Sequence, residues 1–327
     1  MLENFRVATF EFILSALERI VLPPYKGSTF RGGFGSTFRK IVCTTKSQRC
    51  EDCIVKLKCP YSYIFETPPP KHTEIMRKYP HVPHPFVIEP PADDRDEYAE
   101  GDNLRFGLIL VGKAIEYLPY FIFTFEELGK NGSGLERGKY RLQQVKADFE
   151  GKKGSTIYSS VEKKLKDDFP TLTVSNFRVD ESKATREVKL RFLTPVRIKY
   201  RDSYRHQMEF HVLLRNLLRR IGSLDYFHCG GKAGSIDYRA LISAAKSVAS
   251  VERNLSWNDW NRYSKRQQQG MNLGGFTGEI SYKGDIGEFW SFLRVGELIH
   301  VGKGTTFGLG KYQISIPPLV KGSEEGP

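Results

Sequence analysis

The clearest chemical pattern in the chain is a group of cysteines in its N-terminal half. Cys43, Cys50, Cys53 and Cys59 lie within 17 residues with the spacing C-x6-C-x2-C-x5-C, and only Cys229 lies elsewhere. A CxxC core with two outer thiols can surround Zn²⁺ tetrahedrally, and four thiolates can also hold an iron–sulfur cluster. Because four thiolates leave no open position for water, we expect a structural zinc here rather than a catalytic metal. An iron–sulfur cluster and free thiols are the alternatives.

A glycine-rich segment near the C-terminal end has the composition of a phosphate-binding loop. Residues 302–310 contain Gly302, Gly304, Gly308 and Gly310, with Lys303, Thr305 and Thr306 between them. Glycine lets the backbone approach a ligand closely, and N–H groups exposed in such a loop can surround phosphate oxygens. The spacing GxGxxxGxG matches neither a P-loop nor a Rossmann fingerprint. The alternative is a tight turn that leads into an edge strand.

Histidines are the candidates for proton transfer, because the pKa of imidazole lies near neutrality. His211 is predicted to share a helix face with Arg215 and Arg219, as residues four apart do. This favours a catalytic or phosphate-binding role, although a solvated helix face would look the same. His300 directly precedes the glycine-rich segment, but could equally be a hydrogen-bonded residue at a helix end. Three histidines in a proline-rich stretch are expected to be surface loop residues: His72, His81 and His84.

The charge of the chain favours a polyanionic partner. Lysine and arginine number 50 against 38 acidic residues, which gives a formal net charge of +12. Segment 185–220 contains ten basic and three acidic residues, so more than half of the surplus lies there. Phosphates need such a local patch, and nucleic acid is the expected partner, with an unrelated basic enzyme as the alternative. A second basic stretch, which could stack on bases or form an exposed hairpin arm, contains Arg262, Tyr263, Lys265 and Arg266.

Neither a signal peptide nor a membrane span is predicted. The start MLENFRVATFEF lacks a basic region followed by a long apolar core. No apolar run approaches the roughly 20 residues that a helix needs to span a bilayer. We therefore expect a cytoplasmic protein with no membrane partner, whose cysteines are thiols or metal ligands rather than disulfides.

Alternating strand and helix patterns must position these residues. In the first half, strands are predicted at 6–14, 103–112 and 139–149, a helix from Ser28 or Thr29 to about Val42, and a long connection over 67–92. In the second half, strands are predicted at 187–193, 274–282 and 311–316, and helices at 203–223, at 235–251 and up to Ile299. One helix has an apolar stripe that should face the core: Phe210, Leu213, Leu214, Leu217, Ile221 and Leu224. This order predicts two α+β domains, 1–185 and 186–327, and a βαββαβ arrangement fits each.

Several segments in both halves carry a family signature. The longest is GGFTGEISYKGDIGEFWSFLRVGELIHVGKGTTFGLGKY, which places the glycine-rich segment just before the last strand. The others are LPPYKGSTFRGGFGSTFRKIVC, FLTPVRIKY, LLRNLLRRIGSLDYFHCGG and RYSKRQQQGMNLGGFTGE. Together these segments closely resemble the pre-crRNA-processing endoribonucleases of the CRISPR-associated RAMP superfamily.

The resemblance implies two tandem ferredoxin-like (RAMP/RRM-like) domains, here with the four-cysteine segment 43–59 as a metal-binding insertion in the first. The same cysteine block is found in some members of that family. The resemblance also implies binding of CRISPR repeat RNA or crRNA and cleavage without a catalytic metal. In that reaction the 2′-OH of the RNA attacks the adjacent phosphate and leaves a 2′,3′-cyclic phosphate and a 5′-OH. Subunits of a CRISPR effector complex are further expected partners.

The site residues that this function needs are only partly those of the family. The usual catalytic histidine lies near the first helix, whereas residues 25–42 contain no histidine. We therefore expect His211 and His300 to transfer protons, with Lys303 or Lys26 stabilising charge on the phosphate. RNA binding is assigned to the glycine-rich segment, to the two basic stretches and to Arg31. A non-catalytic RAMP subunit that only holds guide RNA is the main alternative, and a zinc-ribbon DNA-binding regulator, favoured by the cysteines alone, is another.

Overall fold

The computed structural model describes residues 2–46, 49–148, 154–177, 186–200, 203–204, 208–258, 261–264, 269–272 and 274–316. Among these residues no helix is both long enough and apolar enough to cross a membrane. The strands and helices of the first half are β1 (Arg6–Ala16), β2 (Ile20–Val21), α1 (Gly27–Val42), β3 (Phe86–Glu89), β4 (Glu97–Tyr98), β5 (Asn103–Val111), α2 (Leu118–Asn131), β6 (Tyr140–Asp148), β7 (Thr156–Ser159), β8 (Lys164–Leu165) and β9 (Leu172–Thr173). Short helical turns lie at Cys50–Asp52, Ser62–Glu66, Gly112–Tyr117 and Val174–Phe177.

The first half forms an antiparallel sheet with two helices on one face. Its strands are ordered β3-β5-β1-β6, with β7 and β8 beyond β6, and with β9 paired to the start of β1. Phe12 of β1 lies opposite Phe106 of β5 and Val145 of β6, so these three side chains share one face of the sheet. Helices α1 and α2 cover that face, where Phe34 stacks on Phe121 at 4.5 Å. The chain order β1-α1-β3-β5-α2-β6 with this strand order is the ferredoxin-like βαββαβ arrangement.

Close packing explains the glycines inside α1. A Cβ at Gly35 would lie 2.1 Å from the ring of Phe65, and a Cβ at Gly33 would lie 2.8 Å from Leu128. Protein side chains, rather than a ligand, therefore occupy the space that these glycines leave. The helix begins at Gly27 without a side-chain cap, so the predicted cap at Ser28 or Thr29 is wrong.

The second half repeats the arrangement. Its strands and helices are β10 (Glu187–Val196), β11 (Lys199–Tyr200), β12 (Ser203–Tyr204), α3 (Phe210–His228), α4 (Tyr238–Ala244), β13 (Ala249–Asn258), β14 (Asn261–Ser264), β15 (Gln269–Asn272), β16 (Gly275–Lys283), α5 (Trp290–Ile299) and β17 (Tyr312–Ser315). The antiparallel sheet is ordered β13-β16-β10-β17, which is again the ferredoxin-like order. The predicted apolar stripe of α3 is confirmed, because all six of its side chains are fully buried. The α+β fold expected from the sequence is thus found in both halves.

Two hydrophobic cores hold the chain together, and one of them joins the halves. In β5, Phe106 and Leu108 belong to the core under α1 and α2, whereas Ile109 and Val111 belong to the core of the second half. Val7 of β1 also joins the second core. Since alternate residues of a strand point to opposite faces, the first sheet is buried on its second face by the other half of the chain. The predicted boundary at 185 lies outside the described residues.

Two helices differ from their predicted bounds. Helix α3 begins at Phe210 rather than near Ser203, because Ser203–Tyr204 pair with Lys199–Tyr200 as a short antiparallel ladder. Helix α4 begins after Asp237, whose carboxylate accepts two backbone N–H groups, and ends at Ala244 instead of Val251. The chain then pairs with β16 from Ala249 onwards. Strand pairing of the backbone, with a neighbouring segment in the first place and with the distant β16 in the second, overrides local helix propensity.

A buried histidine of α3 links the halves. The imidazole of His228 is 6% exposed, and its Nε2 lies 2.8 Å from the carbonyl oxygen of Pro83. Because that carbonyl can only accept, Nε2 carries the proton, and Nδ1 accepts from the hydroxyl of Tyr63 at 3.2 Å. Burial lowers the pKa of His228 to about 4, so the ring is neutral at pH 7.

Acid is expected to weaken this link. The ordinary pKa of histidine is 6.5, so the stability that depends on a neutral His228 is complete above that pH and is lost as the pH falls towards about 4. A shift of this size corresponds to at most roughly 3 kcal/mol. The variant His228→Gln cannot titrate, so its free energy of unfolding, from urea titrations at pH 7 and pH 5, should change less between these pH values than that of the wild type. Equal losses in both proteins would contradict the assignment.

Candidate active site between the two halves

The glycine-rich loop leaves α5 and returns to β17 through a backbone that requires glycine. The φ angles of Gly302, Gly304, Gly308 and Gly310 are 90°, 76°, 87° and 73°, values that favour glycine. A Cβ at Gly310 would lie 1.8 Å from the carbonyl oxygen of Val301, and a Cβ at Gly308 would lie 2.5 Å from Pro90 of the first half. The loop is therefore seated directly against the first half of the chain.

Part of the loop backbone is open to a ligand. The N–H of Lys303 donates to the carbonyl oxygen of Arg197 at 3.1 Å, whereas the N–H groups of Gly302 and Gly304 have no acceptor among the described residues. The side chain of Lys303 is exposed beside them. Two backbone donors and an ammonium group at one place can bind phosphate oxygens. The two threonines predicted as further donors are largely buried: Thr305 and Thr306.

A carboxylate that is only 21% exposed holds the two ends of the loop to the first half. Glu89, at the end of β3, accepts a hydrogen bond from Nε2 of His300 at 2.8 Å. The same oxygen lies 2.9 Å from Nζ of Lys311. His300 is 0% exposed, and Gly107 of β5 leaves room for the carboxylate, since a Cβ there would lie 2.7 Å from it. One side chain of the first half thus binds the residues just before and just after the loop.

The charge state of this cluster follows from its geometry. Nδ1 of His300 lies 3.1 Å from the carbonyl oxygen of Leu309, which can only accept. Although burial opposes ionisation of Glu89, the hydrogen bond from His300 and the charge of Lys311 lower its pKa to about 2. Burial lowers the pKa of His300, and its contact with Glu89 opposes that shift. Glu89 is therefore the anion of the cluster.

Two hydroxyl groups complete the support of the loop. The hydroxyl of Thr194 donates to the carbonyl oxygen of Gly308 at 2.8 Å and accepts the N–H of Lys311 at 2.9 Å. The hydroxyl of Tyr25, which precedes α1, donates to the carbonyl oxygen of Phe307. The loop is thus fixed from β10 on one side and from the start of α1 on the other.

The basic residues predicted at and near the start of α1 lie beside the loop, but their side chains contact other groups of the protein. Lys26 is 5% exposed, and its Nζ donates to the carbonyl oxygen of Asp93 at 2.7 Å. The guanidinium of Arg31 lies 4.0 Å from the ring centroid of Phe65 and 4.9 Å from that of Phe307. Such cation–π contacts hold the guanidinium at the loop. The structure therefore brings Lys26, Arg31 and the loop together.

The other predicted RNA-binding residues lie on α3 and on the arm before β16. Arg215 and Arg219 are exposed on α3, and His211 is partly buried near the start of that helix. Arg262 and Tyr263 belong to β14, which pairs with β15. Lys265 and Arg266 lie outside the described residues.

The cysteines gather around one small space, but a metal site is not shown. All four line a cavity of about 20 Å³ that follows α1: Cys43, Cys50, Cys53 and Cys59. None of the four forms a disulfide, and the hydroxyl of Thr45 lies 3.4 Å from the sulfur of Cys53. Within the described part of the chain, no group of three or more histidine, cysteine or acidic side chains has a geometry that could hold a metal ion.

Sequence reasoning missed the residues that the first half contributes. Residues 67–92 were expected to be one long connection, yet Phe86–Glu89 form strand β3 at the edge of the first sheet. The apolar run FVIE before two prolines is the only local signal for it. Thr194 lies in the segment FLTPVRIKY, where no local pattern predicts a role for it. Its role depends on contacts with residues more than 100 positions away.

Two family models match the chain in succession. One, described as an N-terminal domain, matches residues 5–169, about half of the chain. The other, the CRISPR-associated endoribonuclease Cas6, matches residues 190–312, which include β10, α3 and the glycine-rich loop. The second match therefore covers the half that contains the glycine-rich loop.

Known proteins are similar over nearly the whole length. An uncharacterised protein of Archaeoglobus fulgidus is 26% identical over 301 residues, which cover 90% of this chain and 92% of the relative. A Cas6 product complex has a TM-score of 0.59 at 17% identity and covers 94% of this chain and 100% of its own. Thermus thermophilus Cas6 has a TM-score of 0.54 at 15% identity, with 95% and 99% covered. The structures show a shared fold, and the family model identifies the second half of the chain, over residues 190–312, as a member of the CRISPR-associated Cas6 endoribonuclease family.

Proposed function

We propose that this protein binds CRISPR repeat RNA and cleaves precursor CRISPR RNA beside the glycine-rich loop. The observation that carries the proposal is the open backbone of that loop: the N–H groups of Gly302 and Gly304 have no acceptor among the described residues, and Lys303 is exposed beside them. The guanidinium of Arg31 brings further positive charge to Phe307 of the loop, whereas Nζ of Lys26 lies 3.6 Å from the carboxylate of Asp93. The likeness to a Cas6 product complex supports this assignment.

Cleavage is proposed to use the 2′-hydroxyl of the RNA and no catalytic metal. The 2′-oxygen attacks the adjacent phosphorus, the bond from phosphorus to the 5′-oxygen breaks, and the products end in a 2′,3′-cyclic phosphate and a 5′-OH. Lys303 and the two open N–H groups would stabilise the charge on the phosphorane. A base must take the 2′-hydroxyl proton. Of the two histidines favoured by the sequence, His300 is fully buried and would act by positioning the loop, whereas His211 is partly exposed.

The main alternative is a RAMP subunit that holds crRNA without cutting it. The absence of histidine from residues 25–42 favours this alternative, because the first helix then offers no imidazole. The solved relatives include a partial Cas6-RT-Cas1–Cas2 complex at 16% identity and a TM-score of 0.58, of whose chain 46% is covered. Assembly with other CRISPR-associated proteins is therefore a proposed property of either version of the function.

The cysteine segment is proposed to bind a structural zinc. The support is that four thiols from a stretch of 17 residues line one cavity, and that Cys43 and Cys59 lie close enough to Cys50 to raise its pKa, after burial as the larger cause. Because Zn²⁺ binds thiolates, it would remove these protons and draw the four sulfur atoms together. The metal would fix the chain that leaves α1, away from the proposed chemistry.

The central prediction is cleavage in the absence of metal. In EDTA the protein should cut its repeat RNA to a 2′,3′-cyclic phosphate and a 5′-OH, whereas the same RNA with a 2′-deoxynucleotide at the cleavage site should bind equally tightly and remain intact. Product ends can be identified by mass spectrometry. Tight binding without any cut would support the non-catalytic subunit instead.

The loop is predicted to contact RNA phosphate through Lys303. The variant Lys303→Ala should lower repeat-RNA affinity about fivefold and reduce the slope of log K against log salt by about one, as expected for the loss of one phosphate contact. Fluorescence anisotropy over a series of salt concentrations measures both quantities. Lys283→Ala, which removes an exposed lysine at the end of β16, is the matched control. Identical affinities and slopes for both variants would contradict the placement of RNA at the loop.

The zinc proposal predicts one metal ion per chain. Elemental analysis of the purified protein should find one zinc, which Cys53→Ser and Cys59→Ser should each lose, together with several degrees of melting temperature. Cys229→Ser, which changes the cysteine outside the cluster, should keep both the metal and the melting temperature. Iron and visible absorption would identify a cluster instead, and a metal-free protein of equal stability would contradict both.

A further inference from the structure

One histidine outside the sites discussed so far lies between the two halves. His84 precedes β3, and its ring lies between Phe65 and Phe86, with centroid distances of 6.3 and 5.9 Å. The side chain is partly exposed. The proline-rich sequence around it predicted an ordinary surface loop residue. The structure instead places it against an aromatic cluster beneath α1, where its orientation is fixed.

The tautomer of His84 is set by a threonine. The hydroxyl of Thr67 donates its proton to the carbonyl oxygen of Val82 at 2.9 Å, so its oxygen is an acceptor for the second contact it makes. That contact is with Nδ1 of His84 at 2.9 Å. Nδ1 therefore carries the proton, and the lone pair is on Nε2. Among the described residues Nε2 has no partner, so it is left available to accept a proton.

Basic side chains lie near this ring. Burial is the main cause that lowers the pKa of His84 to about 3, and the nearby charges of Arg31 and Arg220 lower it further. Arg220 of α3 donates from Nε to the carbonyl oxygen of Ile299 at 3.0 Å, but its buried Nη2 has no hydrogen-bond partner among the described residues. Burial lowers the pKa of Arg220 to about 10. A buried cationic donor without an acceptor is costly, and a bound anion would relieve that cost.

The same groups border the glycine-rich loop. Arg31 lies against the ring of Phe65, which also packs on His84, and against Phe307 of the loop. Ile299, the acceptor for Arg220, is the residue directly before His300. An anion beside His84 would therefore lie next to the loop that is proposed to bind phosphate.

We propose that His84, Arg31 and Arg220 form a phosphodiester pocket at the junction of the halves, in which Nε2 of His84 is the base of the cleavage reaction. This inference rests on the proposed function. The 2′-hydroxyl proton passes to Nε2 as the 2′-oxygen bonds to phosphorus. The bond to the 5′-oxygen then breaks, and a solvent water protonates that oxygen, while His84 returns its proton to solvent. Arg31 and Arg220 offset the charge of the phosphorane.

The pocket has a consequence for the pH dependence. The base must be unprotonated, so the rate should rise with pH through the pKa of His84. In the free protein that pKa is held low by burial and by the surrounding cations, whereas a bound phosphate offsets those cations and raises it. As the pH is lowered, both rates should fall. The single-turnover rate at saturating protein should therefore fall at a higher pH than the second-order rate constant does.

Replacement of His84 tests the assignment. His84→Ala should slow single-turnover cleavage at least about 100-fold, the usual contribution of a general base, while repeat-RNA affinity stays within about threefold of wild type. Added imidazole should restore part of the rate, which a merely structural role would not allow. His72→Ala, an exposed histidine of the same connection, is the control. Melting temperatures establish folding, and His84→Gln, whose amide can donate to Thr67, serves if His84→Ala unfolds.

The outcomes distinguish the role of His84 as the base from the endoribonuclease activity on which that role rests. Wild-type cleavage with little loss in His84→Ala, or a loss that imidazole does not relieve, would overturn the role of His84 and leave the endoribonuclease assignment standing. If wild-type protein leaves its repeat RNA intact, the proposed function itself fails, and the base assignment fails with it. Loss in His84→Ala with rescue by imidazole supports both.

Discussion

The arrangement of this protein depends on one partly buried carboxylate. Glu89 accepts a hydrogen bond from His300 and forms an ion pair with Lys311, which lie on either side of the glycine-rich loop. A single group of the first half therefore holds both ends of a loop from the second half. A buried anion is stable only where donors and cations surround it, and here they come from the other half. The loop cannot leave its position without exposing an unpaired carboxylate and a fully buried imidazole.

Two ferredoxin-like halves make this contact possible. The first sheet is covered by α1 and α2 on one face and by the second half on the other, so β3 lies beside the loop rather than in solvent. The start of α1 then brings Tyr25, Lys26 and Arg31 to the same place. Arg31 of the first half and Arg220 of the second half both lie close enough to His84 for their charges to lower its pKa. A polyanion is the ligand that such a junction suits.

Sequence patterns predicted the features that depend on local spacing. The apolar stripe predicted the buried face of α3. The four glycines predicted close approach to a ligand, and the structure shows Gly308 and Gly310 packed closely against Pro90 and Val301 of the protein itself. Features that depend on distant partners were not predictable in this way. Glu89 and His300 are separated by 211 positions, and strand β3 has only four residues, too few for an alternating pattern to emerge from a proline-rich stretch. The bond from His84 to Thr67 is likewise a property of the folded chain.

Hydrogen exchange with bound RNA tests the central claim most directly, namely that RNA lies against the loop where the halves meet. Wild-type protein should be compared by mass spectrometry with and without a repeat RNA whose cleavage-site ribose lacks the 2′-hydroxyl. The account predicts slower exchange in peptides that cover residues 300–312 and 25–31 when RNA is bound. RNA that binds tightly while exchange in both segments stays unchanged would contradict it.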